Sequence, residues 1–128
     1  MSNRWIVFIF FLVGGLLPAY SSGEGLEPSP PGIEILKHEW RPDAVWERIG
    51  KTKFIWSATV RNHSNIRKRV FVYYDLLDDQ HRPLASNVAN KTIEPQQTVN
   101  VSSDSYINTD ALPKVKTSRA TVKLRFPN

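Results

Sequence analysis

Three aspartates and a histidine crowd between residues 75 and 81, and these residue types could bind a metal ion. The group consists of Asp75, Asp78, Asp79 and His81. A calcium or transition-metal site needs three or more ligands that converge on one point. Side chains alternate along a strand, so Asp75 is expected on the face opposite Tyr74. The other three residues have the composition of a turn. We therefore interpret the cluster as turn chemistry, and we predict no metal site and no cofactor.

Nucleophilic and phosphate chemistry lack the residues that they require. The chain has no cysteine, no Gly-x-Ser-x-Gly sequence and no glycine-rich phosphate-binding run. His38 and His63 lie in separate segments, and we predict that both are surface or turn residues. Four glutamates are available for the carboxylate pair of a glycosidase: Glu34, Glu39, Glu47 and Glu94. Any chain of this size offers such pairs, so these glutamates are not evidence for a glycosidase. With no other catalytic set of residues, we predict a protein that is not an enzyme. A small hydrolase is the less favoured alternative.

Aromatic and basic residues interleave between residues 40 and 53, in a segment expected to connect the first two strands. It contains Trp40, Arg41, Trp46 and Arg48. Long loops on a rigid sandwich are common binding elements, and an indole beside a guanidinium can stack on a sugar ring or on a partner's aromatic side chain. These four residues form a candidate binding surface. The other interpretation, which we favour for the indoles, is that both fold back and cap the open end of the sandwich.

A second basic row is expected on the last strand. Arg119, Lys123 and Arg125 share the face that points to solvent, because apolar residues alternate with them. This row is a further candidate surface for an anionic partner such as a polysaccharide or a membrane surface. A solvated strand face explains it equally well, since exposed charges discourage pairing between sheet edges.

The elements that must position these residues begin after a segment that resembles a secretory signal peptide. Residues 1–4 carry one positive charge, residues 5–17 are an unbroken apolar or glycine run, and small residues follow up to Gly23. The apolar run would span roughly 20 Å as a helix, less than the ~30 Å hydrocarbon core of a bilayer. We predict that residues 1–23 are removed by cleavage and that the protein is exported to the periplasm or to the extracellular space. The alternative is an uncleaved anchor. No later segment is long enough to span a membrane.

After a Pro- and Gly-rich tether at residues 24–32, the hydrophobic period is two, as in β-strands. In residues 54–61 the inward positions are expected to be Phe54, Trp56, Ala58 and Val60. In residues 118–126 they are expected to be Ala120, Val122, Leu124 and Phe126. Residues 69–77 are dense in β-branched and aromatic side chains, as in a central strand.

The remaining strands are predicted at residues 33–40, 84–88, 98–102 and around 106–107, and residues 42–49 could form one or two helical turns ended by Gly50. The 128-residue chain has 41% hydrophobic residues, a net charge of +5 and no disulfide, which leaves room for one domain with a packed core. We predict an all-β, immunoglobulin-like antiparallel β-sandwich of about seven strands over residues 33–128.

Three stretches of the chain resemble the FxLYD-type domains of exported bacterial proteins. They are WSATVRN at residues 56–62, VFVYYDLLDDQHRPLA at residues 70–85 and IEPQQTVNV at residues 93–101. Four residues stand at the positions that name the family: Tyr74, Leu76, Leu77 and Asp78. Tyr74 replaces the Phe, Leu77 replaces the Tyr, and Gln96 occupies the usual glycine after Pro95. The resemblance implies an immunoglobulin-like sandwich and carries no catalytic motif.

These observations together predict an exported, non-enzymatic β-sandwich module for protein interaction or cell-envelope support. The alternative is a protein that binds carbohydrate or a polyanion through the Trp- and Arg-rich segment. A partner is expected to be a protein, an envelope component or a polysaccharide, and not a nucleic acid. The acceptor sequences at Asn62, Asn90 and Asn100 matter only in a cell that glycosylates them, and the bacterial resemblance favours coincidence.

Overall fold

The structure is a computed structural model that describes residues 29–124. The predicted signal peptide, the tether up to residue 28 and Arg125 lie outside the described residues. Six strands are present: β1 (Ile33–Trp46), β2 (Lys51–Asn62), β3 (Lys68–Leu77), β4 (Pro83–Ile93), β5 (Thr98–Asn108) and β6 (Thr117–Lys123). Short 3₁₀ segments follow β1 at Glu47–Ile49 and β5 at Thr109–Lys114.

The strands form two three-stranded antiparallel sheets, with the order β1-β2-β5 in the first and β4-β3-β6 in the second. The prediction of an all-β antiparallel sandwich is confirmed. The described residues contain six strands where about seven were expected, because the weak signals at residues 98–102 and 106–107 belong to the single strand β5.

The core lies between the sheets and consists of the residues that alternate inward. In β2 every second residue from Thr52 to Asn62 is buried, so the predicted inward face of this strand is confirmed. β3 is the central strand of the second sheet and is buried on both faces over much of its length, as its composition predicts. The largest fully buried apolar side chains are Trp56, Tyr74, Phe54, Leu76, Ile93 and Ile107.

Two irregularities in β1 decide which of its side chains face the core. The pairing with β2 shifts between Ile35 and Lys37, and again between Pro42 and Ala44. Each shift moves the following residues to the opposite face of the sheet, because side chains alternate with a period of two. The first shift turns His38 inward.

The expectation of a long connecting loop at residues 40–53 is wrong. β1 continues to Trp46 and pairs with β2 through Trp46 and Lys51, so only four residues form the turn. Of the helical turns expected at residues 42–49, the 3₁₀ turn Glu47–Ile49 is present. Gly50 ends it with φ of 65°, a left-handed conformation that glycine adopts without steric strain.

The polar side chains of Asp78 and Asn62 stabilise two further connections between strands. The Asp78 carboxylate accepts hydrogen bonds from the backbone N–H groups of Gln80 and Arg82, at 2.8 and 2.9 Å. The bond from the Arg82 N–H is the largest of the interactions that lower the pKa of Asp78 below its ordinary value. Asn62 is completely buried, and its amide nitrogen donates to the carbonyl oxygens of Ile66 and Ile93. The expected turn role of Asp78 is confirmed.

Candidate functional site

Trp40 lies in β1 on the face that packs against the core. Its indole is half-buried and stands edge-on to Phe54, with ring centroids 6.4 Å apart and planes at 89°. The capping interpretation therefore fits this indole. The neighbouring Arg41 points the other way, and its guanidinium Nη1 lies 3.4 Å from the Asp43 carboxylate.

Trp46 lies on the opposite face from Trp40, although both occupy even positions of the same strand. The second irregularity in β1, between Pro42 and Ala44, reverses the alternation and places Trp46 opposite Lys51 on the outer face of the first sheet. Half of the Trp46 side chain, 51%, is exposed. The two tryptophans of the predicted surface are thus separated by the sheet itself.

Tyr106 of β5 approaches Trp46 across the outer face of the first sheet. The two rings stand at 69° to each other with centroids 6.5 Å apart, and Tyr106 is 46% exposed. Tyr106 could not be assigned to this site from the sequence, because no neighbouring residue indicates that Tyr106 pairs with Lys53 in β2. A period-two pattern shows which face a residue occupies and not which distant strand lies beside it.

Four exposed apolar side chains collect where the β1–β2 hairpin ends. We name them the hairpin-tip surface: Val45, Trp46, Ile49 and Tyr106. The described residues contain seven exposed large hydrophobic side chains, so more than half of them lie at this end of the molecule. Val45 and Ile49 are 57% and 63% exposed. Clustering of this kind marks an interaction site more often than isolated exposed apolar residues do.

Charged side chains surround the hairpin-tip surface. The Lys53 ammonium lies 3.7 Å from the Asp43 carboxylate and 3.6 Å from that of Asp104, so it has acidic partners on two strands. Lys51 donates to the Asn108 side-chain oxygen at 2.6 Å, and Arg48 is exposed in the turn. The turn therefore presents basic groups next to apolar ones.

Two residues of the second predicted row are described, Arg119 and Lys123, and they lie on the other sheet, away from the hairpin tip. The Arg119 guanidinium binds the Asp75 carboxylate at 2.8 and 3.2 Å, and Ser86 donates to the same carboxylate. The Lys123 ammonium sits 5.7 Å from the centroid of the Tyr73 ring. These cations already have partners within the sheet, and the structure does not bring them together with Trp40 or Trp46.

His38 lies in the core, and the expectation of a surface or turn histidine is wrong for this residue. It is only 9% exposed, because the first irregularity in β1 turns it inward. Its Nδ1 lies 3.1 Å from the Tyr74 hydroxyl and 3.5 Å from the Ser118 hydroxyl, while its Nε2 is buried without a hydrogen-bond partner in the described residues. Burial lowers the pKa of His38 below 6.5. His63, by contrast, is exposed and contacts Glu34.

A shallow groove of about 260 Å³ lies on the first sheet beside β1. Its volume is below the roughly 300 to 1,000 Å³ of pockets that enclose drug-sized ligands. The lining residues are Glu39, Trp40, Arg41, Ile55, Trp56 and Ser57. Within residues 29–124, no group of three or more His, Asp or Glu side chains is placed to hold a metal ion. In the same range no helix has the length and apolar character that crossing a bilayer requires.

Comparisons with known proteins give a likeness in fold alone. No protein-family model and no curated protein matches the sequence. A β-glucuronidase from glycoside hydrolase family 2 is 14% identical over 56% of this chain, with a TM-score of 0.50. The matched part is only 7% of that enzyme's length. The Campylobacter jejuni protein cj0090 is 18% identical, and the match covers 80% of this chain and 94% of that one with a TM-score of 0.44.

Proposed function

We propose that this protein is an exported, non-enzymatic β-sandwich module that attaches to a component of the cell envelope through its hairpin-tip surface. The observation that carries the proposal is the clustering of Val45, Trp46, Ile49 and Tyr106, each about half exposed, at one end of the sandwich. Removing such side chains from water is the main driving force of association. Trp and Tyr are also the residue types that dominate binding energies at interfaces.

Export is part of the proposal because of the amino-terminal pattern at residues 1–23 and the resemblance to FxLYD-type domains. The envelope is then the place where a module of this kind meets its partner. The chain runs from Ile33 at the base of the sandwich to Trp46 at the hairpin tip, a distance of about 45 Å for a strand of 14 residues. The tether and the hairpin-tip surface are therefore at opposite ends of β1, which leaves the tip open to a partner.

The carbohydrate alternative requires two tryptophans that stack on the same sugar chain. Trp40 is half-buried against Phe54, and the rings of Trp46 and Tyr106 stand at 69° to each other. Two rings at this angle offer no common plane on which successive sugar units could stack. The arrangement favours an irregular apolar contact over a polysaccharide platform.

Co-sedimentation with an envelope preparation from the source organism tests the proposal. The purified chain is compared with a Trp46→Ser, Ile49→Ser double variant and with the control Ile66→Ser, whose side chain is 64% exposed in the turn at the opposite end. We expect the tip variant to lose at least ten-fold in bound fraction at low protein concentration and the control to bind like the unaltered chain. Equal binding of all three would contradict the proposal. Melting curves of each variant show whether the fold is retained.

A further inference from the structure

The apolar side chains of the hairpin tip point to both faces of the hairpin. Val45 pairs with Thr52, whose side chain is buried, so Val45 lies on the inward face beyond the core. Trp46 pairs with Lys51 on the outer face, and Ile49 lies in the turn between them. A flat partner can cover only one face of a hairpin. Covering all three side chains requires surroundings that enclose the tip.

We propose that the hairpin tip inserts into the interfacial region of a bilayer that contains anionic lipid. This inference rests on the proposed function and names the envelope component that the tip contacts. The headgroup region encloses whatever enters it, which matches the two-sided exposure of Val45 and Trp46. The apolar side chains would reach the boundary between headgroups and acyl chains, as they do in interfacial helices.

The residue types at the tip are those that occur in a membrane interface. Val45 and Ile49 carry no polar atom in their side chains. Trp46 and Tyr106 carry one polar group each on a large ring, and such residues are enriched at the headgroup level. The aromatic pair also lies to one side of the turn, since Tyr106 belongs to β5 and is opposite Lys53. The pair would set the depth and tilt of the tip.

Charges near the tip favour an anionic surface. Arg48 is exposed in the turn, and Lys51 is next to it with an uncharged partner, the Asn108 side chain. Lys53 contacts the carboxylates of Asp43 and Asp104, and Arg41 contacts Asp43 as well, so two cations face these two anions. Glu47 is the acidic group in the turn itself and offsets one of the two charges of Arg48 and Lys51, so the turn keeps an excess of one basic group. Basic side chains at a membrane surface that carries anionic lipid each strengthen binding about five-fold.

Site-specific labelling with vesicles tests the inference, and the absence of native cysteine makes each introduced cysteine the single labelling site. An environment-sensitive fluorophore is attached to Ile49→Cys and, as the matched control, to Ile66→Cys. Both labelled chains are titrated with vesicles of equal parts phosphatidylglycerol and phosphatidylcholine. We expect a blue shift and an intensity gain at position 49, none at position 66, and weaker binding at high salt. The label reports locally, so apolar residues elsewhere in the chain do not imitate the signal.

A charge variant tests the electrostatic part. Arg48→Gln with Lys51→Gln, labelled at position 49, should lose about thirty-fold in vesicle affinity, since each charge accounts for about five-fold. An unchanged affinity, or a label at position 49 that does not respond to vesicles, overturns the inference. If the label at position 49 does not respond to vesicles while envelope sedimentation still depends on Trp46 and Ile49, the proposed function stands. The tip then enters a cleft of a protein partner. If sedimentation ignores the tip as well, both proposals fail.

Discussion

The Trp56 indole lies flat on the Tyr74 phenol, with ring centroids 4.9 Å apart and an angle of 6° between the planes. Trp56 belongs to the first sheet and Tyr74 to the second, so this stack joins the two halves of the sandwich. Its polar groups are also bound, because the indole N–H donates to Asn87 at 2.8 Å and the Tyr74 hydroxyl donates to Ser118 at 2.9 Å. In a chain without cysteine, contacts of this kind hold the sheets together.

Removing a side chain from this stack or from the core around it should destabilise the fold. Trp56→Ala or Leu76→Ala each deletes a fully buried side chain, and we expect a loss of about 2 to 5 kcal/mol in the free energy of unfolding. Trp46→Ala is the matched control, because the same residue type is half exposed there, and its effect should stay within about 1 kcal/mol. Denaturant titration measures all three. Equal losses at positions 46 and 56 would refute the assignment of the strand faces.

His38 should make stability fall as the medium becomes acidic. Burial lowers its pKa in the folded chain, while the unfolded chain protonates near the ordinary value of 6.5. The full stability is therefore present above about pH 6.5, declines as the pH falls toward the lowered pKa, and levels off below it. The slope from this residue cannot exceed about 1.4 kcal/mol per pH unit, which corresponds to one proton.

A physical reason for this sensitivity lies in the groups that face the ring. The hydroxyl oxygens of Tyr74 in β3 and Ser118 in β6 lie 3.1 and 3.5 Å from Nδ1, whereas Nε2 is buried without a partner within the described residues. A proton on Nε2 would find no acceptor. Denaturant titrations between about pH 7.5 and 5 should show a smaller slope for His38→Gln than for the unaltered chain. Identical slopes would show that His38 does not set the acid sensitivity. Groups that are common to both chains cancel in this comparison.

Asn62 should be far more important for stability than its place at the end of β2 suggests. Its amide nitrogen donates to Ile66 and Ile93, and its oxygen accepts from the backbone N–H and hydroxyl of Ser64. Asn62→Ala leaves the buried carbonyl oxygen of Ile93 without this donor, so we expect a loss of about 2 to 3 kcal/mol. Asn100→Ala is the matched control, since Asn100 is exposed, and it should change the midpoint of unfolding little. A small effect at position 62 would show that water replaces the amide.

The strand faces could be predicted from the sequence wherever the alternation runs without interruption. β2 is such a case, because its pairing with β5 has no shift from Lys51 to Arg61. β1 is the opposite case. Its two shifts reverse the alternation twice, so His38 is buried and Trp46 lies on the opposite face from Trp40, against the simple count. A single extra residue in a strand has no reliable signature in one sequence, and both errors follow from it.

The candidate site could be predicted only in part, for a related reason. Trp46 and Arg48 do lie at the tip, because the turn at residues 47–50 has the signal of a glycine in a left-handed conformation. Trp40 and Trp46 lie on opposite faces since a shift separates them. Tyr106 joins the tip through the pairing of β2 with β5, which is a contact between residues more than 50 positions apart. Only the tertiary structure supplies that neighbour.

Photo-crosslinking in the living source organism tests most directly whether the hairpin tip is the element that contacts the envelope. A photo-reactive phenylalanine derivative is placed at position 49 or, as the control, at position 66, two isoleucine positions of nearly equal exposure at opposite ends of the sandwich. We expect adducts with envelope material from position 49 and few or none from position 66. Adducts of equal yield at both positions, or their absence at position 49, would contradict it.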